Sequence, residues 1–497
     1  MDTSNKNNLN ILNLPDELLL IIFNKLNTID TFYSLVNVNK RFDRLVLNSL
    51  HIRNLDTTRM VIKSYYDRTF SIDNNVLSKI CEKILPRIHH QLNELIVEQN
   101  SLKNILFTVN YPQLDSLSLV NFQKEILFQY LTDNSILHNL LTQQIQHLNI
   151  DVSYDPKSKG SKILSSIFAL ILSTCQRLID LNFCQLFYDR KSPIRIYKFP
   201  STSCTSSTLT KLKVSVATFD DCLYILDGRL KHLSALIIHV KKISLSFSNK
   251  NKKKLPELKY FSLTSTEPTT HYDDQIIPLL RRMINLKELT LFFYINTTVI
   301  NGGSTIDLPS NEDIQCSFIG KGYGQVGSCV HNRQEDNVGT SHVYSLPYQF
   351  QYFLRLNNSF QGDMFDTVQC LTMTDGRPFE HNLFKLISQC FPLLKELNVV
   401  NHQPQKTKQH SSILIIFPHL ILLNLIKAHV DYAEQLLCDK NTHLPALLDL
   451  CIKYKSLVMI TNNFTNDTIC RNCAKIKKLH ANSLLWPENF HKYFPLL

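Results

Sequence analysis

The sequence predicts an α/β fold: three short helices at the amino terminus, then an irregular solenoid with one curved parallel sheet and outer helices. Two observations carry this. An apolar-x-x-Leu-x-apolar pattern recurs along most of the chain, and stretches of helical periodicity fall between its copies. The amino-terminal segment lacks that pattern and shows helix start signals instead.

Composition narrows the class. A chain of 497 residues, 44 % of them apolar, is ample for a large core. Only 11 residues are Gly. Average usage is roughly 7 %, so architectures dense in glycine turns and Gly-rich nucleotide cradles are disfavoured. The longest apolar runs, Leu18 to Phe23 and Ile167 to Leu172, fall far short of the roughly 18 residues needed to cross a bilayer. The polar start, Met1 to Asn10, is unlike a secretory signal, so a cytoplasmic or nuclear chain is expected. In a reducing compartment the 13 scattered cysteines read as small buried hydrophobes. The net charge of +11 has no block longer than Lys252–Lys253–Lys254. It reads as a solvated surface, against the alternative of a nucleic-acid footprint.

The first element begins at Pro15, with Asp16 and Glu17 placed to meet the positive end of a helix. Leu18, Ile21, Ile22 and Leu26 then recur at helical spacing. Asn27 to Asp30 breaks the pattern, and Asp30 is the expected cap of a second helix carrying Phe32, Leu35 and Val36. Val38 to Leu47 gives a third, with Phe42, Leu45 and Val46 on one side and Lys40, Arg41 and Arg44 on another. Three such helices bury little by themselves and need a partner surface.

These residues resemble an F-box over about residues 12–50. The resemblance rests on Leu14–Pro15, Glu17–Leu18, Ile22–Phe23, Leu26, Asp30, Leu35, Val38 and the Asn39–Lys40–Arg41–Phe42 run. Asn39 stands where the family commonly has Cys, and Phe42 where it commonly has Trp. The resemblance implies docking on the Skp-type adaptor of a cullin–RING ubiquitin ligase. Leu14, Pro15, Leu18, Ile22, Leu26 and Val38 would be the apolar contacts.

The remainder is read as a degenerate repeat. The pattern centres on Leu95, Leu117, Leu148, Leu181, Leu212, Leu236, Phe261 and Leu289, and after a gap on Leu371, Leu397, Leu423, Leu450 and Leu479. Successive centres lie 22 to 33 residues apart before the gap and 26 to 29 after it, at or just above the spacing of leucine-rich repeats. Alternate residues of a strand face opposite sides. The positions between the apolar ones, Asn149, Asn182, Lys213, Ser262, Thr290, Thr372, Asn398 and Asn424, are therefore expected to line an exposed concave face that binds a target. Helix-like stretches at Ile163 to Leu172, Ile276 to Met283, Asn382 to Phe391 and Tyr432 to Leu437 fit the outer layer. The predicted fold is an α/β chain with an amino-terminal three-helix F-box followed by an irregular leucine-rich-repeat solenoid. The expected parts are 12–50, the F-box; 51–295, the first part of the solenoid; 296–344, an insertion or partly ordered loop; and 345–497, the second part. Stretches such as Arg377 to Phe384, Phe391 to Asn401 and Asn463 to Leu479 are also similar to a large, lineage-expanded set of invertebrate F-box proteins.

Chemical motifs are sparse. Gly322 to Gly327 matches G-x-G-x-x-G but has neither a clear strand before it nor a helix after it; a flexible or hairpin turn is expected. Cys470 and Cys473 form a lone CxxC, with His480 and His491 as the nearest further ligands, short of a four-ligand zinc site. Asp363, Asp366, Asp375, Glu380 and His381 form a loose acidic cluster without a nucleophile. No P-loop, serine elbow or HExxH occurs. The expectation is a non-catalytic substrate adaptor without cofactor or metal. It would bind a Skp-type adaptor, a cullin through that adaptor, and an unknown target protein, but neither nucleic acid nor membrane, and nothing implies a homo-oligomer. The alternatives are a leucine-rich-repeat scaffold outside any ligase and a nucleic-acid binder using the positive charge.

Overall fold

The computed structural model describes residues 11–497 apart from 24, 27, 48–52, 59, 63–67, 71, 134–135, 154–161, 184–192, 201, 247–252, 299–324, 334–337, 408–413 and 482–485. The chain divides into two compact units, the first ending at Ile238 and the second running from His239 to Leu497.

The first unit opens with helices α1 (Asp16–Phe23), α2 (Thr28–Leu35) and α3 (Lys40–Leu47). Strands β1 (Asn54–Asp56), β2 (Met60–Ile62) and β3 (Arg68–Phe70) follow, the last two as an antiparallel pair. A helical stretch from Asn74 to Ile88 is capped by the Asp73 carboxylate, which accepts from the Asn75 amide at 2.9 Å. It widens to a π turn at Ile80–Ile84, just ahead of Pro86, which cannot donate to the helical ladder.

Then come β4 (Glu94–Glu98), β5 (Ser116–Phe122), β6 (His147–Val152), β7 (Asp180–Phe183) and β8 (Lys211–Thr218). They pair in parallel and in chain order, with β1 on the outer side of β4. Leu55, Leu95, Leu117, Leu148, Leu181 and Leu212 stand opposite one another along this ladder and are all buried. This row is the spine of the core. Burial of each leucine is worth about 1.5–3 kcal/mol. Helices Gln99–Thr108, Lys124–Thr132, Ile136–Gln143 and Lys162–Thr174 carry the chain between strands. β9 (Ala235–Lys242) runs through the division at residue 238.

In the second unit β10 (Tyr260–Thr264) pairs in parallel with β11 (Glu288–Thr298). Residues 325–346 then form an antiparallel hairpin, β12 (Gln325–Arg333) and β13 (Val338–Leu346), with β13 laid along β11. Gly327, the last glycine of the G-x-G-x-x-G run, sits opposite Tyr344 in this hairpin. A Cβ there would lie 2.2 Å from the tyrosine ring. The glycine thus makes room for an aromatic side chain in a strand, and no helix follows it. Gly322 and Gly324 lie outside the described residues.

A second parallel ladder contains β14 (Tyr352–Leu356), β15 (Cys370–Thr374) and β16 (Glu396–Val400). Beyond a short strand, β17 (Ile415–Ile416), it continues with β18 (Leu422–Asn424). β19 (Thr442–His443) pairs with β17 apart from it, and the ladder ends with β20 (Asp449–Cys451) and β21 (Lys478–His480). Leu371, Leu397, Leu423, Leu450 and Leu479 again form one row. Helices Lys162–Thr174, His381–Cys390 and Val430–Leu437 cover three of the predicted helical stretches. The fourth is shorter than its periodicity suggests: a π turn at Tyr272–Ile276 leads into Ile277–Leu280, again beside a proline, Pro278.

Candidate functional site

The amino-terminal helices are built around Leu19, Phe23, Ile29, Phe32, Val36, Phe42, Leu45 and Val46, all buried. Phe23 meets Phe42 edge-on, with ring centroids 5.5 Å apart and planes at 83°. Asn39 caps α3: its side-chain oxygen accepts from the Phe42 amide at 2.8 Å, satisfying a donor that a helix start leaves open. Asp30, expected to be a cap, lies instead in the first turn of α2.

One guanidinium organises the entrance to α1. Arg41 donates from Nε to Asp16 Oδ1 at 2.7 Å, from Nη1 to the Leu12 carbonyl at 2.7 Å and from Nη2 to the Leu14 carbonyl at 2.6 Å. Arg44 Nη2 donates to the other Asp16 oxygen at 2.7 Å. The Arg41 hydrogen bond, joined by the charges of both arginines, holds the Asp16 carboxyl below its usual pKa. The Leu12–Leu14 backbone is thereby fixed against α3, which places Leu14 and Pro15 at the surface edge.

The outward side of this module is apolar. Leu18, Ile21, Ile22, Leu26 and Val38 are 47 %, 57 %, 38 %, 49 % and 59 % exposed. Pro15 is exposed and Leu14 half-buried. Helix geometry explains the split within α1. Leu19 and Phe23 are four residues apart and face the core, while Leu18 and Ile22, also four apart, face out. Exposed apolar side chains gathered in so short a module are of the kind an interaction surface uses. Residues 11–51 match the F-box domain. The three-helix module α1–α3 is that F-box, and F-box domains bind Skp-type adaptors. No curated protein matches the chain.

The positions expected to line a polar face fall into register rows. In the first unit Ser118, Asn149, Asn182 and Lys213 stand side by side across β5 to β8. Asn149 donates to the Ser118 hydroxyl at 2.9 Å. In the second unit Ser262 faces Thr290, and Thr372, Asn398 and Asn424 form a row across β15, β16 and β18. Ser118, Thr290 and Asn398 are buried and the others half-buried, so none is as exposed as the alternation suggested.

The second row continues to Cys451, which the sequence reading did not single out, and to His480, which it set beside the CxxC pair. Asn424 is in register with Cys451, and Cys451 with His480. Asp449, two residues before Cys451, faces the same side of β20. One ligand atom from each of Asp449, Cys451 and His480 lies within 4.8 Å of the others, and Asp449 Oδ1 is 3.3 Å from His480 Nε2. Burial and the neighbouring carboxylate push the Cys451 thiol up to about 12; burial also raises the Asp449 carboxyl, against the pull of His480. A signal was present in the sequence. The residues flanking the central leucine of one repeat, Asp449 and Cys451, and the one after it in the next, His480, are all metal-ligating types.

The CxxC pair is arranged differently. Cys473 is fully buried and Cys470 partly so, and burial raises both thiols. Neither joins a metal-capable group among the described residues. In the acidic cluster, Asp375 accepts from the Asn358 amide and side chain at 2.9 Å. Glu380 accepts from the Lys406 amide at 2.9 Å and the Thr407 hydroxyl at 2.7 Å. His381 Nδ1 lies 3.2 Å from the Gln435 side-chain oxygen. These groups hold loops together. No helix among the described residues is long and apolar enough to cross a membrane.

Proposed function

We propose that this chain is a substrate-recognition subunit of a Skp–cullin–F-box ubiquitin ligase. The observation that carries the reading is the apolar outer face of the F-box, with Leu18, Ile22, Leu26 and Val38 exposed beside the Leu14–Pro15 edge. The adaptor would cover these side chains and bring the cullin with it. The chain itself would be non-catalytic, and the ubiquitin chemistry would belong to other subunits.

The rest of the chain is read as the target-binding part, an irregular leucine-rich-repeat solenoid akin to those of lineage-expanded invertebrate F-box proteins. Its support is the parallel, chain-ordered strands of each unit and the leucine row within each. The target face would be formed by Asn149, Asn182 and Lys213 in the first unit and by Ser262, Thr290, Thr372, Asn398 and Asn424 in the second. Holding a target near the charged conjugating enzyme raises the effective concentration of its lysines, which is the mechanism of such a subunit.

The test is co-expression of the full chain with a Skp-type adaptor, followed by size-exclusion chromatography. Co-elution that is lost in the Leu14→Ala, Pro15→Ala double variant supports the reading. A folded chain eluting alone overturns it, and leaves a repeat scaffold outside any ligase as the better account.

A further inference from the structure

Among the described residues, the other buried aspartates accept hydrogen bonds. Asp221 accepts from the amides of Ile196, Tyr197 and Thr218 and from the Thr218 hydroxyl, at 2.6 to 3.0 Å. Asp431 accepts from the Gln405 amide at 3.0 Å, and Asp151 from the Asn121 amide at 3.0 Å. Asp449 differs. It is 4 % exposed, and neither of its carboxylate oxygens receives a hydrogen bond. A buried carboxylate without donors is costly and calls for a cation. Lys478 is its register partner on β21, and His480 Nε2 reaches its Oδ1 at ion-pair distance.

Three properties point beyond a simple Asp–His pair. A thiol, Cys451, stands beside it on the same face of the sheet and is 7 % exposed. The three candidate ligand atoms converge within 4.8 Å. The donor set of carboxylate, thiolate and imidazole suits a borderline cation and not a hard one. We propose that Asp449, Cys451 and His480 form a three-ligand site for a divalent cation of the Zn2+ type, its fourth position open to solvent. Bonds of about 2.0–2.3 Å in tetrahedral geometry bring ligand atoms to roughly 3.5 Å from one another. Asp449 Oδ1 and His480 Nε2, 3.3 Å apart, already stand at that separation. Binding breaks the Cys451 S–H bond, forms the metal–sulfur bond and releases one proton to solvent. Three protein ligands with one open position is the pattern of a reactive or shared metal, not of a closed structural one.

The inference rests on the second unit alone and is independent of the ligase reading. Its test is Co2+ titration of the metal-stripped full chain, read by absorbance. The expected result is a thiolate-to-cobalt charge-transfer band with tetrahedral d–d bands, displaced by Zn2+. The Cys451→Ser variant loses the charge-transfer band. Loss of partners that merely orient a ligand costs about 10- to 100-fold in affinity. The exposed His480→Gln variant, which leaves the core intact, is therefore expected to weaken binding at least tenfold. The Cys470→Ser, Cys473→Ser double variant is expected to bind as the parent does. Absence of a cobalt band in the folded parent, or a band that survives Cys451→Ser, overturns the assignment.

Discussion

Arg41 Nε donates to Asp16 Oδ1 at 2.7 Å, joining the third helix of the F-box to the first turn of its first helix. The same guanidinium holds the Leu12 and Leu14 carbonyls. The pair therefore does two jobs, closing the module and fixing the edge that carries Leu14 and Pro15.

The pair gives the F-box an acid dependence. The Asp16 carboxyl is held below its ordinary 3.8, chiefly by the Arg41 hydrogen bond. A depressed carboxyl contributes stability that is fully present above the unfolded value and lost as pH falls through the folded one. Thermal unfolding of the parent and of Asp16→Asn should differ at neutral pH and begin to converge only as pH falls below about 4.

Inward and outward leucines of α1 should separate stability from binding. Leu19→Ala removes a fully buried side chain and should cost about 2–5 kcal/mol in unfolding free energy. Ile22→Asp alters an exposed position, so unfolding should change by less than about 0.5 kcal/mol. Adaptor affinity should fall steeply in the same variant. Denaturant unfolding and a binding titration on both proteins check the contrast.

Asn39 makes a capping bond that cysteine, common at this place in the family, supports poorly. Its oxygen accepts from the Phe42 amide. Asn39→Ala should destabilise the F-box by about 0.5–2 kcal/mol, and Asn39→Asp should retain most of the cap. Unfolding curves of the two variants distinguish a cap from a mere surface residue.

The second unit carries a buried histidine with a pH signature. His342 lies among Phe292, Tyr294, Tyr344 and Phe353, and neither ring nitrogen has a hydrogen-bond partner. Burial, with the positive field of Arg355, depresses it from 6.5 to about 3. Its neutral form is the one the fold accepts. Stability is therefore highest above pH 6.5 and declines below it, by up to about 1.4 kcal/mol per pH unit. His342→Leu should flatten that decline, as measured by unfolding from pH 7 to pH 4.

Much of the architecture was legible because strand and helix periods differ. The central Leu95, Leu117 and Leu397 sit in buried strands as the alternation predicts. The F-box was legible from Leu14 to Phe42 because its interface residues and its core residues are both local in sequence. The β12–β13 hairpin was not, since its residues are polar and take their structure from the edge of β11. The group at Asp449, Cys451 and His480 was hidden for a different reason. His480 is far from Cys451 in sequence and adjacent only through the ladder register. Periodicity alone does not split Leu18 and Ile22 from Leu19 and Phe23, because α1 is apolar on both sides; only the family resemblance pointed Leu18 and Ile22 outward.

The chain order of the β15, β16, β18, β20 and β21 ladder governs what this protein could survive in evolution. Each strand meets only the one before and the one after it. Removing everything from one central leucine to the next would let the flanking strands rejoin with their inward and outward residues unchanged. Deleting a single residue inside β18 would instead turn Leu423 outward and Asn424 into the core. Length in this half of the molecule can therefore change by whole repeats far more safely than by single residues.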